Sequence, residues 1–142
     1  MPHKLSLAVQ YAVEADGLPT RAQVRKWVNA TLLSDAEITV RFVGEEEGRS
    51  LNHDYRGKDY ATNVLSFIYV SDPVQGDLVI CAPVVAYEAL DQGKTIEAHY
   101  AHLVVHGSLH LHGFDHEVDA EAQAMETRET ALMIKLGYPD PY

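Results

Sequence analysis

Apolar residues recur along this chain with two periods, and the switches between them mark out its elements. KLSLAVQYAV near the start alternates in part, as a strand with one buried face does. After a turn at Asp16–Pro19, Thr20 stands where an N-cap belongs. The following stretch, RAQVRKWVNATLL, carries Val24, Trp27, Val28 and Leu32 at helical spacing. EITVRFV at 37–43 alternates again and predicts a second strand. Residues 45–56 read as a helix, with Leu51 and Tyr55 four apart. VLSFIYV at 64–70 and DLVICA at 77–82 are β-rich runs, separated by Asp72, Pro73 and Gly76 as turn elements.

From there the pattern is helical. Pro83 opens a short helix that stops at Gly93, and Thr95 caps the next one. The last helix spans about 120–136, closes at Gly137 with Pro139 beyond, and carries Met125, Leu132 and Leu136 as core positions. The order β-α-β-α-β-β-α-α-α predicts an α/β fold. We expect a single layer of about four mixed strands with about five helices packed on it. The 142 residues fit one domain, 1–142, and no apolar run approaches the ~20 residues that span a bilayer. MPHKLSLAVQ lacks the h-region of a secretory signal. Cys81 is the sole cysteine, so no intramolecular disulfide forms, which suits a cytoplasmic location. Its apolar run LVICA predicts a buried, inert thiol.

Six of the eight histidines lie between residues 99 and 116. In HGSLHLHGFDH, His106 and His110 are four apart, about 40° around a helix axis and about 6 Å along it, so they share a face. Gly113 allows a sharp turn that returns His116 as a third nitrogen ligand. Three ligands with a fourth position open to water make a catalytic type of zinc site. The spacing is that of the zinc-peptidase pattern H-E-x-x-H-x-x-G-x-x-H, except that Gly107 replaces the glutamate base. Peptide cleavage is disfavoured, and metal-assisted ester hydrolysis is not. His102 extends the stripe, but three ligands on a straight helix span about 12 Å, too far for one ion. We read His102 as packing behind the ligands or hydrogen-bonding to one of them, Asp115 as orienting a histidine, and His99 and His112 as partly solvated. Imidazoles also suit nickel, copper and iron.

The net charge of −10 weighs against a nucleic-acid partner, but its distribution is uneven. Residues 1–58 hold 8 basic and 8 acidic residues, whereas 59–142 hold 3 and 13. A polyanion-binding face must therefore draw on the N-terminal half, where Arg49, Arg56 and Lys58 are candidates. Arg56 and Lys58 lie in LNHDYRGKDYATNVLSF, residues 51–67, a polar cluster just before a strand, where loops place functional groups. The planar fork of Arg56 suits phosphate oxygens.

That segment, with GDLVIC at 76–81, EAHYAHLVVHGSLHLHGFDH at 97–116 and LGYPDPY at 136–142, resembles the YbeY family of bacterial single-strand-specific metallo-endoribonucleases. The blocks cover most of the chain after residue 50. The resemblance implies a role in 16S ribosomal RNA 3′-end maturation and ribosome quality control. It also implies zinc, one per chain, on His106, His110 and His116, with Arg56 facing the metal across a cleft. Lys58 and Arg49 are expected RNA contacts. Phe114 stands where the family commonly has tyrosine, and Asn63 where many members have aspartate. The expected partners are single-stranded or ribosomal RNA and a ribosomal protein or the ribosome, which would reconcile RNA cleavage with the acidic charge. The competing readings are a non-catalytic metal-binding ribosome-assembly factor and a hydrolase of another substrate, such as a small phosphoester.

Overall fold

The computed structural model describes residues 3–115 and 117–142. Among these the expected element order holds: β1 (Leu5–Tyr11), α1 (Arg21–Thr31), β2 (Ala36–Val43), α2 (Glu45–Arg56), β3 (Val64–Ser71), β4 (Val74–Cys81), α3 (Ala82–Gln92), α4 (Ile96–Leu111) and α5 (Asp119–Lys135). The strands form one mixed sheet in the order β1-β2-β4-β3. β1, β2 and β4 run parallel, and β3 pairs antiparallel with β4. The strand between β2 and β3 is the most buried, as expected for a central strand flanked on both edges.

Local chemistry explains the boundaries. Thr20 and Gln23 form a reciprocal capping box at the start of α1. The buried stripe there is Val24, Trp27, Val28 and Thr31. Leu32, expected as the last apolar position of the stripe, is instead the C-cap, because the helix stops one residue earlier. The Thr31 hydroxyl satisfies itself on the Val28 carbonyl at 2.7 Å. Gly57 ends α2 at φ +70°, a left-handed C-cap that suits glycine.

Gly76, expected in the turn, lies inside β4. A Cβ at this position would stand 2.7 Å from the Phe67 carbonyl oxygen and 2.7 Å from Leu111 Cδ2. Glycine is thus needed for the approach of β3 and α4, not for a bend.

Helix α4 organises the core. Ten of its sixteen residues are buried, with apolar groups on every side, because the helix is enclosed by β3 and β4, α1, α3 and α5. Tyr100 meets Phe42 of β2 edge-to-face at 5.6 Å. Among the described residues no helix is long and apolar enough to cross a membrane.

Gly76→Ala should lower stability by about 1–3 kcal/mol in denaturant unfolding, since the backbone oxygen of Phe67 cannot rotate away as a side chain can.

Candidate metal centre and its cleft

Two segments meet in a cleft of about 530 Å³ beside α4. Its walls include Arg56 at the end of α2, Asn63 and Ser66 around the start of β3, His106 and His110 on α4, and Glu117. Arg56 is delivered there by the left-handed stop at Gly57, whose amide closes on the His53 carbonyl at 2.9 Å. The loop that follows is tied down from inside: the Asn52 amide, on a fully buried side chain, donates to the Tyr60 carbonyl at 2.7 Å.

The basic residues of this region differ in their surroundings. Arg41 and Arg49 are each gripped in two-pronged fashion, by Glu47 and Asp59 respectively. The hydrogen bond from Arg49 and its charge hold the Asp59 carboxyl below the ordinary carboxylate range. The fork of Arg49, read from sequence as an RNA contact, is therefore occupied by a carboxylate. Among the described residues Arg56 has no ion-pair partner, and Lys58 is exposed.

His106 and His110 stack edge-to-face on successive turns, with ring centroids 4.7 Å apart. His116 lies outside the described residues, so the expected third ligand has no geometry here. Gly113 has φ +96°, the left-handed turn expected of it. Asp115, expected to orient a histidine, sits half-buried in the loop beyond it. A Cβ on Gly107 would lie 2.8 Å from Leu78 Cδ2, so a side chain at the peptidase-base position would run into β4.

The group that sequence reasoning missed is Glu129 of α5. It is fully buried and accepts three hydrogen bonds: from His106 Nδ1, from His102 Nε2 at 2.9 Å, and from the Tyr142 hydroxyl. Burial pushes its pKa up. The hydrogen bonds from His102 and His106, the His106 charge and the Tyr142 hydroxyl outweigh that and hold it at about 2. An ionised carboxylate only accepts, so both imidazoles must donate to it. Nδ1 of His106 therefore carries the proton that it donates to Glu129.

His102, His106 and Glu129 bring ligand atoms within 4.8 Å of one another and could hold a metal ion. His106 and His110, with ring centroids 4.7 Å apart, are the pair that sequence spacing puts on one face of α4. Two imidazoles stand on adjacent turns, and a carboxylate engages the far nitrogen of one, the usual support for a metal-binding histidine. His102, read from sequence as packing or hydrogen-bonding near the ligands, donates its Nε2–H to Glu129.

The signal for Glu129 was present in the sequence. It stands at the same helical spacing as Met125 and Met133, all three buried, so an acid occupies a core position of α5. His99 corrects an expectation: it is 97% buried rather than partly solvated, because α3 covers it and Glu88 Oε1 meets its Nε2 at 3.0 Å. His112 is half-buried, with Nδ1 on the Ser108 carbonyl at 2.8 Å.

Glu129→Gln should weaken divalent-metal binding about 10–100-fold in competition with a chromogenic chelator, since an amide cannot accept from every donor around it. Glu129→Ala, which leaves those donors without an acceptor, should also lower unfolding stability by more than about 3 kcal/mol.

The family model "Endoribonuclease YbeY" matches residues 10–137. A protein of Aromatoleum aromaticum named Endoribonuclease YbeY is 60% identical over 143 residues, covering 98% of this chain and 93% of that protein. A protein of the same name from Methylobacillus flagellatus is 59% identical, covering 98% and 94%. The solution structure of a Thermotoga maritima protein superposes with a TM-score of 0.67 at 27% identity, over 92% of this chain and 88% of that one. With a family model spanning nearly the whole chain and relatives this similar over their length, the chain belongs to the YbeY family of endoribonucleases.

Proposed function

We propose that this chain is a single-domain, metal-dependent endoribonuclease. It hydrolyses phosphodiesters of single-stranded RNA, acts in 16S ribosomal RNA 3′-end maturation and ribosome quality control, and works in the cytoplasm on or near the ribosome. One zinc ion per chain is assigned to His106, His110 and His116. The observation that carries this reading is the cleft itself: Arg56, without an ion-pair partner among the described residues, shares its walls with His106 and His110. The names of the relatives support the reaction class.

When bound, the metal supplies Lewis acidity toward a phosphate oxygen and lowers the pKa of water. The remaining work falls to the chain. Arg56 offers two parallel N–H donors to a phosphoryl group whose negative charge grows during cleavage. Glu129 fixes the tautomer and orientation of His106 and, through His102, stiffens the ligand helix. Gly107 gives no carboxylate base, which separates this site from the zinc peptidases with the same histidine spacing. Lys58, exposed beyond Gly57, adds a point charge for the strand approaching Arg56.

Purified protein, Arg56→Ala and His110→Ala should be compared on a single-stranded RNA, with the metal content of each determined. Arg56→Ala should lose at least about 100-fold in cleavage while keeping its metal, as loss of a charge-stabilising donor does. His110→Ala should lose both metal and cleavage while keeping a folded circular-dichroism spectrum. Equal cleavage by all three would point to a contaminating nuclease and move the non-catalytic assembly-factor reading forward.

A further inference from the structure

We propose that Tyr55 is a stacking platform for an unpaired nucleobase, seated at the mouth of the cleft beside Arg56. This rests on the RNA-cleaving reading above and deepens it. Tyr55 directly precedes Arg56 at the end of α2 and lines the same cleft as Arg56, His106 and His110. It is 59% exposed. A single exposed aromatic is ordinary on a protein surface. This one is distinguished by where it sits and by what stands behind it.

The ring is backed by Phe67 of β3, with centroids 4.4 Å apart and planes tilted by 54°. Phe67 in turn packs against the small buried cluster of Val43, Leu65, Val79 and Cys81. The tyrosine is thus braced from the sheet side while much of its surface stays open. Ile68, 50% exposed, extends the apolar floor of the cleft. Braced aromatic surface next to a cationic fork is the pairing used to hold single strands: one contact for a base, one for its phosphate.

The charge balance favours such a contact. With a net charge of −10, and only 3 basic residues against 13 acidic ones after residue 58, phosphate neutralisation alone gives weak, salt-sensitive binding. Arg49 is already paired with Asp59. Stacking requires no net charge and tolerates any base, because every base has a π-face. It also discriminates by strandedness. In a duplex the base faces are covered by their neighbours, whereas an unpaired base can be splayed onto the ring.

The test uses zinc-loaded protein and a single-stranded RNA carrying 2-aminopurine next to the cleaved bond, with wild type, Tyr55→Phe and Tyr55→Leu. Leucine still covers Phe67 but has no π-face, and a thermal melt confirms that each variant folds. Wild type and Tyr55→Phe should quench the fluorescence on binding. Tyr55→Leu should lose the quench and raise KM about tenfold or more with kcat essentially unchanged. Its preference for single strands over duplex should narrow as well. Wild-type quenching and KM in Tyr55→Leu would overturn the proposal, as would an equal defect in the Phe and Leu variants. Wild-type protein that quenches but never cleaves would overturn the nuclease reading while supporting the stacking site.

Discussion

A carboxylate with no exposed surface, Glu129, is the constraint on which the rest of the site depends. Removing an ionised carboxylate from water is expensive unless its oxygens are satisfied. Here two imidazole N–H groups and a phenol hydroxyl satisfy them. The energetic requirement runs both ways. The donors keep the carboxyl ionised, and the ionised carboxyl dictates which nitrogen of each histidine carries the proton. Helix α5 is thereby bound to α4 by charge-assisted contacts at the level of the candidate metal centre. Tyr142, beyond α5, donates to Oε2, the oxygen that His102 also engages.

The sheet supplies the other half of the arrangement. Parallel β2 and β4 form a rigid floor, and α4 lies close to it because Gly76 and Gly107 carry no side chains. A Cβ at Gly107 would crowd Leu78 and Val64, so any larger residue there requires those side chains to shift. The chain keeps the histidine spacing of a zinc peptidase, with glycine at the position of the peptidase base. At the opposite wall, Gly57 and the buried Asn52 present Arg56 on a defined corner rather than on a wandering loop.

Much of this was legible in the residues alone. Periodic and β-rich patterns together with cap and breaker residues located all nine elements found among the described residues, and Thr20, Gly93 and Thr95 marked helix ends. The pairing of β2 with β4 was not legible, because strand order depends on long-range packing that no local pattern encodes. Gly76 was misplaced for a related reason: a glycine demanded by a neighbouring backbone looks, in one dimension, like a glycine demanded by a turn. His99 looked solvated because its partner, Glu88, lies on another helix. Glu129 went unread because a lone acid in a charged helix is normally solvent-facing. Only its spacing with Met125 and Met133 marked it as a core position.

The most direct test of the account is the tautomer of His106, read from long-range proton–nitrogen NMR correlations of the zinc-loaded, nitrogen-15-labelled protein. The expected result is a protonated, pyrrole-type Nδ1, with Nε2 as the nitrogen shifted by the metal. A protonated Nε2 with the metal on Nδ1 would contradict it, because Glu129 would then no longer be the group that sets the ligand.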